Sequence, residues 1–314
     1  MLPVIFSPRY TIRLLGIERL HPFDTYKYAK IQKHLRRALG VKASAFYQPQ
    51  PVGREQLERI HTKRYLDSLK KSATFLEVAE VEMLKYIPAP LLDWAVLRPM
   101  RYATGGTLLG VEVAQKHGMA INLSGGYHHA KADRGEGFCF YADINLAIAK
   151  VQDENPEAKV LVVDLDAHQG NGHESIIGSR PNQFVFDIYN EDIYPQDVEA
   201  AAYIDFPFPI SSFTDDPTYL ELLKTELPPV LDRLAPDFVI YNAGSDIFAE
   251  DEVGQLSISE AGILERDHVV FQETQNRSIP CLMLLSGGYT AESAGIVGRS
   301  VEALLRAFFI PKNS

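Results

Sequence analysis

Short apolar runs rich in β-branched residues alternate along this chain with longer amphipathic stretches, and few folds accommodate that alternation. The runs are Val4–Phe6, Ala120–Leu123, Val160–Asp164, Phe184–Ile188, Phe238–Asn242 and Leu282–Leu285. Several are apolar on both faces, as strands covered above and below are. Between them, helical periodicity predicts helices at Thr25–Leu39, Gly105–Lys116, Ile144–Asp153, Tyr219–Leu234, Ser259–Gln275 and Ala291–Phe309. Strand and helix in turn predict an α/β fold of three layers, α/β/α, around a mostly parallel sheet. No stretch reads as a linker, so residues 1–314 are expected to form one domain.

Charge and cysteine content narrow the function classes. The net charge is −10, which removes the electrostatic case for nucleic-acid binding and suits a cationic substrate or partner. Cys139 and Cys281 form no CxxC pair, so neither a thiolate zinc knuckle nor a disulfide framework is expected. The apolar opening Met1–Phe6 is too short for a signal peptide or a membrane span, which makes cytoplasmic the expected location.

Ligands of parallel sheets sit beyond the carboxyl ends of the strands, and the polar clusters here follow predicted strands. Leu123 leads into Ser124-Gly125-Gly126-Tyr127-His128-His129. Val163 leads into Asp164-Leu165-Asp166-Ala167-His168. Asn242 leads into Ala243-Gly244-Ser245-Asp246, with Asp251 soon after, and Leu285 leads into Ser286-Gly287-Gly288-Tyr289. In extended backbone Asp164, Asp166 and His168 share a face. Three ionisable groups there call for a counter-charge, and two carboxylates with an imidazole suit zinc, Fe(II) or Mn(II). The same pentapeptide alone also reads as a solvated strand end or a magnesium site. The pair His128-His129 can carry protons near neutral pH, but both rings reach one site only from an irregular loop, which Gly125 and Gly126 permit. Otherwise one ring is buried and the other exposed. A tyrosine such as Tyr289 can donate to an oxyanion or serve as a core aromatic.

Together these residues resemble the zinc-dependent histone deacetylase family of the arginase/deacetylase superfamily, whose relatives include acetoin-utilisation-type proteins and acetylpolyamine hydrolases. The likeness runs from Tyr10 to about Ala307 and is nearest to class IV. It is carried by Ser7-Pro8-Arg9-Tyr10, Leu20-His21-Pro22-Phe23-Asp24, the run DLDAHQGNGHE from Asp164 to Glu174, Gly137-Phe138-Cys139 and Leu256-Ser257-Ile258-Ser259. The resemblance implies the arginase/deacetylase fold and metal-dependent hydrolysis of acyl-lysine amides, with class IV pointing to long acyl chains. It implies Asp166, His168 and Asp251 as zinc ligands, although Asp246, Glu250 and Glu252 compete with Asp251 on spacing. His128 and His129 take the tandem catalytic positions, with Asp164 behind His128 and Asn171 behind His129. Tyr289 polarises the carbonyl. Gly137, Phe138 and Ile258 line the substrate tunnel, and the loop-forming Pro22 makes His21–Asp24 a candidate for its border. A structural potassium ion would use Asp164, Asp166, His168 and Asp187.

Four positions depart from the wider family pattern: Gln169, Asn171, Glu250 and Ser286. The amide of Asn171 lacks the charge that an aspartate would lend to His129. The expected partner is an acylated lysine peptide or protein, or else a small acylated amine such as a polyamine. A non-catalytic, zinc-binding recruiter of partners is the alternative outside enzymology. An arginase-type site with two manganese ions lacks its second carboxylate in Asp166-Ala167-His168-Gln169-Gly170.

Overall fold

The computed structural model describes residues 1–14, 16, 18, 23–178 and 180–310. Seven strands form one sheet: β1 (Val4–Ile5), β2 (Met119–Asn122), β3 (Val160–Asp164), β4 (Gln183–Asn190), β5 (Phe206–Ile210), β6 (Phe238–Asn242) and β7 (Cys281–Leu284). Their order is β1-β2-β7-β6-β3-β4-β5, and every pairing is parallel. The main helices are α1 (Lys27–Ala38), α2 (Arg98–His117), α3 (Asp143–Glu154), α4 (Asn171–Ile177), α5 (Asp216–Leu234), α6 (Glu260–Asn276) and α7 (Ser293–Phe308).

Alternation along the strands explains the layering. Val160 and Val162 face one way, into a core with Val111, Ile144 and Ile148 from α2 and α3. Leu161 and Val163 face the other way, into a core shared with Leu223, Val270 and Val301 from α5, α6 and α7. Both faces are therefore dry, and continuous apolar strands satisfy both.

Three differences from the predicted elements have physical causes. Strand β5 reads FPFPI, and its prolines at 207 and 209 hide it from a strand reading. It lies at the sheet edge, where a missing N–H costs no ladder bond. Helix α2 starts at Arg98 rather than at Gly105, because Gly105 and Gly106 sit inside it where other segments press close. A side-chain carbon on Gly106 would lie 2.1 Å from the Tyr10 hydroxyl. Helix α4, which is not among the predicted helices, opens at Asn171 inside the polar run that follows β3.

The register then assembles the site. Asp164, the last residue of β3, is level with Asp187 on β4 and Asn242 on β6. Asn242 is level with Leu284 on β7, as is Asn122 on β2. The loops after β2, β3, β6 and β7 leave from one edge of the sheet.

Candidate active site

The segment after β3 carries Asp166 and His168, and the turn after β6 carries Asp246. Their ligand atoms lie within 4.8 Å of one another, and all three side chains are buried. His168 Nδ1 is 2.9 Å from Asp246 Oδ2 and 3.1 Å from Asp166 Oδ1. Burial works against a proton on His168, but the two carboxylates outweigh it and push the imidazole up to about 10. Burial and the charge of Asp166 push the Asp246 carboxyl up to about 7. Two carboxylates crowded around one imidazole, away from water, form a group that can hold a metal ion and that a divalent cation would neutralise.

This corrects the third ligand. Asp251 does not join the group; its oxygens are taken by backbone N–H donors, Oδ2 by Tyr289 at 2.8 Å and Oδ1 by Val253 at 3.1 Å. Asp246 stands four residues after Asn242, directly above the strand end, and the loop that follows carries Asp251 toward Tyr289. Asp251 therefore anchors the tyrosine loop. That loop also touches the metal group through Gly287, whose N–H donates to Asp166 Oδ2 at 3.0 Å. A side-chain carbon on Gly287 would lie 2.4 Å from Asp246 Oδ2, so only glycine fits.

The tandem histidines both face the cleft. Positive φ at Gly125 and Gly126 bends the loop after β2, and the two rings lie 4.1 Å apart. His128 Nδ1 is 3.1 Å from Asp164 Oδ2, and His129 Nδ1 is 2.8 Å from Asn171 Oδ1, the pairings implied by the resemblance. A further imidazole, His173 on α4, reaches the same Asp164 oxygen at 3.0 Å. Asn242 Nδ2 and the backbone N–H of Asp166 donate to its other oxygen. Burial alone would raise the Asp164 carboxyl, but the charge and hydrogen bonds of His128 and His173 hold it well below the usual range. Asp187 is buried beside it; Gly170 N–H donates to Oδ2, while Oδ1 has no hydrogen-bond partner among the described residues. Burial and the neighbouring Asp164 and Glu174 hold the Asp187 carboxyl well up.

Tyr289 packs edge-on to His168 and to Phe23, and burial keeps its phenol protonated. Phe138 and Gly137 line the cleft beside His129 and Tyr289, as expected. The Gly137 carbonyl accepts a contact from the Cys139 thiol at 3.3 Å. Ile258 is a correction: it is fully buried, bridged to Phe248, and part of the core. Val253 and Gln255 occupy the cleft wall instead. His21 and Pro22 lie outside the described residues, while Phe23 lines the inner cavity.

Other residues of the site carry no sequence signal. Lys27 is fully buried at the start of α1; its ammonium donates to Gly287 O at 2.7 Å and lies over the Phe23 ring. Burial pulls it down to about 8, opposed by Asp246, Asp166 and Asp251. Helical periodicity has no means of marking this lysine as buried. Glu80, in left-handed backbone at φ 55°, lines the outer cleft with Asp192 and Tyr194. Tyr10, Ile12, Tyr28, Met100 and Tyr127 line an inner cavity that continues past His128 and Tyr289. No helix among the described residues is long and apolar enough to cross a membrane.

Residues 21–308 match the family model described as the histone deacetylase domain. Histone deacetylase 2 of Arabidopsis thaliana is 40% identical over 303 residues, 96% of this chain and 78% of that protein. An uncharacterized protein of Picosynechococcus is 30% identical, covering 95% of each chain. The crystal structure of the HDA15 HD domain superposes with a TM-score of 0.79 at 20% identity, over 99% of this chain and 90% of that one. That structural likeness bears on the fold.

Proposed function

The chain belongs to the histone deacetylase family, and from that premise we propose that it hydrolyses the amide of acyl-lysine side chains at Asp166, His168 and Asp246. One observation carries the reading: the buried Asp–His–Asp group, the paired histidines and Tyr289 converge on a single cleft. Zinc suits two carboxylates and one imidazole, with Fe(II) as the alternative. When bound there, the ion supplies Lewis acidity that activates water and polarises the acyl carbonyl.

The chain's own residues do the rest. His129, whose Nδ1 is engaged with Asn171, takes the proton of the attacking water at Nε2. His128, protonated against Asp164, lends positive charge to the oxyanion side. The Tyr289 phenol donates to the carbonyl oxygen as charge builds on it. His129 then delivers its proton to the departing lysine nitrogen. A structural potassium ion beside Asp164, Asp166, His168 and Asp187 belongs to the same proposal; Asp187 Oδ1, buried without a hydrogen-bond partner among the described residues, is an atom that a cation would satisfy.

Gln169 and Asn171 favour class IV, and the cavity beyond the cleft favours acyl groups longer than acetyl. Its walls are largely apolar, including Ile12, Tyr28 and Met100. Turnover of a lysine-peptide series from acetyl to myristoyl, with acetylputrescine alongside, tests the substrate. A profile favouring acetyl or acetylputrescine would defeat this choice. Metal content tests the centre. Asp246→Ala is expected to lose the ion and Asp251→Ala to keep it. Tyr289→Phe keeps the ion while turnover drops about 10²–10³-fold.

A further inference from the structure

An amide side chain can be turned end for end with almost no change of shape, so its hydrogen-bond neighbours decide which end faces which. Asn171 is buried, with Oδ1 toward His129 and Nδ2 pointing away. On that far side Nδ2 lies 3.2 Å from Glu136 Oε2 and 3.4 Å from Asp197 Oδ2. Lys131 gathers the same two carboxylates, with its ammonium 2.7 Å from Asp197 Oδ2 and 3.6 Å from Glu136 Oε2.

An ionised carboxylate accepts hydrogen bonds and donates none. Burial raises the Asp197 carboxyl, but Lys131 and the Ala200 and Asn171 donors outweigh it and hold it at about 2. Turning the Asn171 amide over would set its oxygen against two acceptors and lose both donations. The NH₂ end must therefore face the carboxylates and the oxygen must face His129. An oxygen there requires a proton on His129 Nδ1. As the base of the proposed reaction that ring is neutral, so its one N–H is at Nδ1, facing the Asn171 oxygen, and its lone pair is at Nε2.

We infer that Glu136, Asp197 and Lys131 are positioning residues that lock the Asn171 amide, and through it the Nδ1–H tautomer of His129. This role rests on His129 as the base of the proposed reaction. It gives a task to two loops that also wall the cleft: Glu136 precedes Gly137 and Phe138, and Asp197 follows Tyr194, whose ring packs against His129. With an aspartate at 171 either oxygen would accept from the imidazole and no lock would be needed. With an asparagine the orientation has to be imposed from behind.

The test is a double-mutant cycle on the metal-loaded enzyme with its best acyl-lysine peptide. Asp197→Asn keeps an oxygen for the Ala200 N–H that Asp197 caps, so Glu136→Gln/Asp197→Asn leaves that cap in place and removes the carboxylates that Asn171 and Lys131 meet. We expect kcat to fall by roughly 100-fold, within the span of general acid–base contributions, with KM little changed. In ¹⁵N-histidine NMR the His129 signature should move from Nδ1–H toward Nε2–H. In the Asn171→Asp background the same pair should cost less than about tenfold. Equal losses in both backgrounds, or an unmoved imidazole signature, would overturn the lock. Should the double variant fail to fold, Glu136→Gln alone, on a partly exposed loop, reads the same two signals in smaller measure and decides between the same outcomes. Wild-type enzyme inactive on every acyl-lysine peptide would instead overturn the proposed reaction, while the NMR signature would still judge the tautomer.

Discussion

The two cleft histidines are neighbours in sequence and 4.1 Å apart in space, yet they rest on opposite kinds of support. His128 leans on Asp164, a fully buried carboxylate at the end of β3 that also serves His173 and Asn242. His129 leans on an amide whose own anchors, Glu136 and Asp197, lie at the rim. Burial opposes a charge on both rings. For His128 the charges of Asp166 and Asp164 prevail and push it up to about 9; His129 gains no such charge from its amide and stays well below its usual value. Adjacent rings thus hold one proton firmly and one loosely, which is what the proposed reaction would require of them.

If that contrast is right, the charged half is the costlier one to damage. Asp164→Ala leaves two imidazoles and an amide without their shared acceptor. The loss should be about 3–5 kcal/mol in denaturant unfolding, the range for breaking a buried ion pair from one side, with turnover abolished. Unchanged stability would mean that His128 does not depend on its carboxylate. Asn171→Ala strips only a neutral acceptor from His129. Its expected cost is about 1–3 kcal/mol, and kcat should fall much further than that change in stability would explain. A loss matching that of Asp164→Ala would erase the distinction between the halves.

Acid gives the smallest effect. Asp197 has a folded pKa held below its unfolded value, so its contribution is complete above about pH 4 and fades as pH falls toward about 2. The stability difference between wild type and Asp197→Asn should shrink across that window. A difference that grows in acid would have the wrong sign for a depressed carboxyl.

The layered architecture was legible because dry strands write themselves as unbroken apolar runs, and both faces of Val160–Asp164 are covered. Strand β5 was illegible because Pro207 and Pro209 are tolerated only by its edge position, a tertiary fact. At the site, Asp166, His168 and the histidine pair were readable from their place just past strand ends. Choosing between Asp246 and Asp251 was not, since both follow β6 and only the turn geometry separates a side chain over the strand end from one spent on backbone donors. Ile258 misled for a related reason. Its motif borders the site in sequence, but pairing with Phe248 turns the side chain inward. Lys27 takes its role from a contact across most of the chain, and Glu136 from one with a separate helix, which no local pattern records.

The bare backbone at Gly287 has a consequence for how this cleft could change. That single residue donates its N–H to Asp166 and accepts from Lys27 at its carbonyl, two residues ahead of the phenol. The Asp166 carboxylate and the Tyr289 hydroxyl are thereby yoked to a shared segment too cramped for any substituent. Room for bulkier substrates would have to open in the opposite wall, around Phe138 and Tyr194, where the chain can be rebuilt without dislodging either.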